Sequence, residues 1–139
     1  MASPVELLGT YLHLARAAEL RRQPLVRDRL LVLAAVIAAQ SAGLVPIAAA
    51  CRERILRHNP GHLIGNWPTV SAAMQTADFS ALVEQIARRF SPEEAEQLLA
   101  QLGIERGAER RAYFSDGEYA AALLGEDWAA LRQRFGASD

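Results

Sequence analysis

Apolar residues recur every three or four positions along most of the chain, the spacing that lines them up on one side of an α-helix. Leu7, Leu8, Tyr11, Leu12, Ala15 and Ala18 form the first such stripe. Ser3-Pro4-Val5-Glu6 precedes it. In that start signal Ser3 caps the helix, Pro4 takes the first helical position and Glu6 reaches back to the cap. The pattern predicts a helix to about Arg22, broken at Gln23-Pro24 because proline disfavours helix at the residue before it. A second helix, over about 25–42, is apolar nearly all round from Leu30 to Ala39, as a central buried helix should be, and Gly43 fits its C-terminal cap. Pro46 opens a third, through about Arg57, with Ile47, Cys51 and Ile55 inward and Leu56 a further inward candidate. Arg52, Arg54 and Arg57 lie outside it, near the end where cations suit the helix dipole.

The segment His58–Pro68 breaks the pattern. Two prolines and two glycines stop helix there, yet Leu63, Ile64 and Trp67 make it too apolar for a loose linker, so these three are expected to pack down. Helical spacing then resumes. Thr69 can cap a short helix to about Met74. Asp78 can cap the next, whose stripe is Phe79, Leu82, Val83, Ile86 and Phe90. Ser91-Pro92-Glu93-Glu94 repeats the first start signal, and Gly103 stops that helix. Residues 104–114 are charged and irregular. Ser115-Asp116-Gly117-Glu118 opens another helix, Gly125 breaks or bends it, and Trp128, Leu131 and Phe135 carry an apolar stripe onward.

No stretch alternates with period two, so no sheet is predicted. The expected fold is all-α: a compact single domain over 1–139, built of seven or eight short helices in antiparallel hairpins. It divides into a three-helix half (1–57), a connector (58–68) and a second helical half (69–139). At 139 residues and 51% apolar, the chain can bury a real core without a disulfide or metal staple.

Charge changes the picture in one respect. The net charge is −1, but residues 1–67 hold eight arginines against four acids and residues 68–139 seven against twelve. These opposite halves can pack on each other, or head-to-tail between copies, or simply be two solvated faces. There is no lysine, so lysine-based catalysis is excluded; an all-arginine usage is what a GC-rich bacterial genome produces. The single Cys51 forbids an internal disulfide and, with an N-terminus unlike a signal peptide, points to the cytoplasm. Leu30–Cys51 is uncharged and nearly long enough to span a bilayer. Gly43 and Pro46 divide it, however, and arginines flank both ends, so a buried helix pair is expected and no membrane contact.

The stretch Ala50-Cys51-Arg52-Glu53-Arg54-Ile55-Leu56-Arg57-His58-Asn59-Pro60 resembles the second helix and turn of a tetratricopeptide-like helical hairpin. The resemblance covers about residues 30–62, roughly one repeat, and no second copy follows at the 34-residue period of such repeats. It implies packed antiparallel hairpins and a surface for a protein partner.

Candidate chemistry is sparse. His58 and His62 have a zinc-finger spacing, but no Cys-x₂-Cys accompanies them and Pro60-Gly61 keeps them off a shared helical face. Cys51 could pair with His13 or His58 as a nucleophile, but its alanine and isoleucine neighbours suit a buried, inert thiol. Glu93, Glu94 and Glu96 crowd a helix start, where the dipole favours them. Residues 95–112 have helix-turn-helix spacing, but Glu109 falls on a core position and the region is acidic, so no nucleic acid is expected. No cofactor motif is present. The leading expectation is a non-enzymatic interaction module that binds a protein partner or itself through Arg57, His58, Asn59, His62 and Trp67. Trp67 is the best anchor because it sits beside Pro68 in the irregular segment. The alternatives are a small enzyme or ligand-binding protein with a site near residues 51–67, and a nucleic-acid-binding regulator using the basic half.

Overall fold

A computed structural model describes residues 3–136. The described residues are all-helical: α1 (Pro4–Leu20), α2 (Pro24–Ala39), α3 (Val45–His58), α4 (Val70–Met74), α5 (Ala77–Arg89), α6 (Pro92–Gln101), α7 (Asp116–Leu123) and α8 (Trp128–Phe135). Short 3₁₀ turns lie at Leu63–Asn66 and Arg110–Ala112. No strand occurs among the described residues.

The helix starts are set locally. Ser3 and Glu6 form the expected reciprocal cap. Thr69, Ser91 and Ser115 each accept a backbone N–H from the third residue onward. At α5 the cap is Thr76 rather than Asp78: the Thr76 backbone is extended and its hydroxyl accepts from the Phe79 N–H, while Asp78 lies inside the first turn. The first two helices stop short of their expected ends, at Leu20 and Ala39. Residues 40–43 form a turn in which the Ser41 hydroxyl donates back to the Ile37 carbonyl, and Gly43 takes φ +79°.

Packing follows the stripes. α1, α2 and α3 lie against one another in sequence, and α2 is the central helix, with Leu30 to Ala35 and Ala38 buried. The second half wraps this core: α6 and α7 pack on α1, α4 and α5 on α2, and α8 on α3. One apolar cluster therefore runs through both halves, from Leu8 and Tyr11 to Tyr119 and Leu131. The Tyr11 hydroxyl donates to the Phe90 carbonyl at 2.6 Å and so holds the end of α5 on α1. Ion pairs also cross between the halves: Arg54–Glu126 at 2.9 Å, Arg106–Glu6 at 3.8 Å, and Arg134–Glu53.

One pair was not expected inside. Arg27 and Asp28 precede the apolar run of α2, and both are buried; the Arg27 guanidinium donates twice to one Asp28 carboxylate oxygen, at 2.9 and 3.1 Å. No helix among the described residues is long and apolar enough to cross a membrane. Residues 104–109 hold no helix, with a turn at 106–109, so the second helix of a helix-turn-helix is not formed there.

Candidate functional site

The segment 58–68 is ordered by its own polar groups. His58 closes α3, its Nδ1 lying 3.0 Å from the Arg54 carbonyl, and its ring is exposed. Asn59 is the C-terminal cap. Nδ1 of His62 accepts the Ile64 N–H at 3.1 Å and so caps the 3₁₀ turn, while Ile64 is fully buried beneath it. That bond requires an unprotonated Nδ1 and uses up the lone pair a metal would need. Burial pushes the His62 imidazole below its usual range, and Asp28 nearby partly opposes that shift. No group of three His, Cys, Asp or Glu placed to hold a metal occurs among the described residues.

Trp67 is half-buried, with its ring edge-on to Phe79 at 5.8 Å between centroids. Its carbonyl accepts from Arg52 Nη2 at 2.7 Å, which ties the segment back to α3. Trp67 thus acts as a strut between the connector and α5. Cys51 is wholly inaccessible, and its thiol is pushed up to about 12 by burial, with Arg54 pulling weakly the other way. A thiol so placed is protonated at neutral pH and cannot attack.

Beside this segment runs a groove of about 460 Å³. α3 supplies Val45, Ala48, Ala49 and Leu56 as its floor. Pro68, Thr69, Val70 and Ser71 form one wall and Phe135, from the end of α8, the other. Arg52, Glu53 and Arg57 stand along the rim. Val45 is 48% exposed, a large share for a branched apolar side chain in a helix. The groove lies open because α3 is apolar on two sides, the second interrupted by Arg52. Ile47, Cys51 and Ile55 face the core, whereas Val45, Ala49, Arg52 and Leu56, at i, i+4, i+7 and i+11, share a second face that α4 and α8 only partly cover.

Of the five residues singled out from sequence, Arg57 alone lines this groove, and its guanidinium pairs with Glu53 at 3.3 Å. His58, Asn59, His62 and Trp67 shape the connector whose far end makes the wall at Pro68 and Thr69. Val45, Ala49 and Phe135 were missed. The i, i+4, i+7, i+11 spacing on α3 was the signal for the first two, whereas nothing local announces Phe135. No protein-family model, no curated protein and no solved structure matches this chain.

Proposed function

We propose that the chain is a non-enzymatic helical interaction module whose receptor surface is the groove along α3. The observation that carries this reading is the uncovered second stripe of α3, held on a rigid helix and walled on both sides. Its volume falls within the roughly 300–1,000 Å³ of ligand-binding clefts, and its apolar floor with a charged rim has the make-up of an interface core. A groove of this shape takes an apolar or aromatic side chain from a protein partner, with acidic neighbours of that side chain meeting Arg52 and Arg57. The α2–α3 pair is the kind of hairpin that tetratricopeptide-like repeats use for partner binding, which supports the same reading. A buried, reduced thiol suits the cytoplasm.

The test uses N-acetyl-phenylalaninamide as the probe, followed by NMR shifts of the methyl groups of Ala49, Leu56 and Val70 and the ring of Phe135. Saturable shifts confined to the groove are expected, and Ala49→Arg, which fills it, should abolish them. Shifts spread over the surface, or none, would remove the groove from consideration.

A further inference from the structure

Phe114 is 98% exposed, although its backbone is held fast. Its N–H donates to Glu118 Oε1 at 3.0 Å, and Ser115, the next residue, caps α7. An apolar residue just before a helix cap ordinarily folds onto the fourth helical residue, here Tyr119. Tyr113 takes that place instead, with ring centroids 5.9 Å apart, and the Phe114 ring is left in water. An aromatic ring on a pinned backbone is the form a binding anchor takes.

The position of Phe114 relative to the groove indicates what it meets. The cleft beside Phe114 is lined by Trp128 and Arg132, while the groove is walled by Phe135. Trp128, Arg132 and Phe135 stand at i, i+4 and i+7 and therefore share one face of α8. The cleft beside Phe114 and the groove thus border opposite ends of a single helix face, whose end residues Trp128 and Phe135 are about 10 Å apart along its axis. A two-fold axis through the middle of that face would set each copy's Phe114 over the other's groove.

The charges agree. At the Phe114 end, Glu118 and Asp127 have no ion-pair partner among the described residues. At the groove end, Arg57 and Arg134 share the single acid Glu53, and Arg52, bonded to the Trp67 carbonyl, has no acidic partner among the described residues. Antiparallel α8 helices would bring the acidic end of each onto the basic end of the other, with their dipoles opposed.

We propose that two copies of the chain form a closed two-fold dimer in which Phe114 of each enters the α3 groove of the other. This rests on the groove being a receptor, and it names the occupant. Because both contacts close on one another, the assembly stops at two copies instead of growing into a fibre.

Sedimentation equilibrium tests it on the full chain, with helical circular dichroism as the check on folding. The wild type should dimerise. Phe114→Ser and Ala49→Arg should each weaken dimerisation by about tenfold or more. A mixture of the two variants should recover part of the association, because one intact anchor and one intact groove can still meet. A wild type that stays monomeric at about 1 mM, or a dimer indifferent to either substitution, overturns the proposal. The probe titration is run on the Phe114→Ser variant, whose groove is vacant either way. Probe binding to a protein whose wild type is monomeric would refute the dimer and leave the groove standing, whereas no probe binding together with a monomeric wild type would remove both.

Discussion

Gly9 in α1 has no room for a side chain because Tyr119 of α7 fills the space: a Cβ built on Gly9 would stand 2.9 Å from Cε2 of Tyr119 and closer still to its hydroxyl. A glycine inside a helix costs about 0.5–1 kcal/mol relative to alanine, and here that cost permits α1 and α7 to touch. Gly9→Ala should therefore destabilise the fold by about 1–3 kcal/mol in urea denaturation, despite its better helix propensity. The Tyr119 hydroxyl is buried with no hydrogen-bond partner among the described residues. Tyr119→Phe should leave stability unchanged or raise it by up to about 1 kcal/mol, and should soften the cost of Gly9→Ala. A loss on Tyr119→Phe would show that the hydroxyl is bonded after all.

The Arg27–Asp28 pair makes a second prediction. Two buried charges cost desolvation energy that their attraction only offsets, so removing one partner is far worse than removing both. Asp28→Ala should cost about 3–5 kcal/mol, while Arg27→Met with Asp28→Leu should fall within about 1 kcal/mol of the wild type. Glu19, 4.0 Å from Arg27 and half exposed, adds little. Equal losses in the single and double variants would contradict this account.

These cases mark what the sequence could and could not reveal. Helix starts at Ser3, Thr69, Ser91 and Ser115 were legible because a cap needs only residues within one turn. The core stripes were legible for the same local reason. The burial of Arg27 and Asp28 was not, because it depends on which helices close over the start of α2. The use of Nδ1 of His62 as a cap was hidden too, since it arises from the path of the 3₁₀ turn and not from residue type. Half of the groove could be read in the spacing of α3; the other half comes from Phe135, 79 positions after Leu56.

Alkaline conditions probe Cys51. Its folded thiol is raised from 9.0 to about 12, so the two states carry the same proton below pH 9 and the unfolded chain ionises first above it. Stability should therefore hold up to about pH 9 and drain away as pH climbs toward 12. Tyr11, lifted from 10.0 to about 12 by burial and by Glu93, adds to the same loss. Cys51→Ala should flatten the slope between pH 9 and 10. The native thiol should also be silent to Ellman's reagent at pH 8 until denaturant is added; prompt reaction would show that α3 opens readily.

Acid conditions probe the histidines. Burial lowers His13 and His62 below the ordinary 6.5, with Glu109 partly opposing the shift at His13 and Asp28 at His62. The unfolded chain then takes up protons first as pH falls through 6.5, so the stability held by the neutral rings is intact above that value and lost on the way down to their folded values. Urea midpoints should be lower at pH 5 than at pH 7.5. His62→Asn keeps a side-chain acceptor for the Ile64 N–H and should reduce that difference. An undiminished difference in this variant would assign the effect to other groups.

Phe135 also has a bearing on when the groove can exist. Until the last turn of α8 docks, the second stripe of α3 faces solvent as an open shelf with one side missing. Any partner that requires a walled slot can engage only once Phe135 is seated against α3, so recognition by this surface depends on the docking of α8.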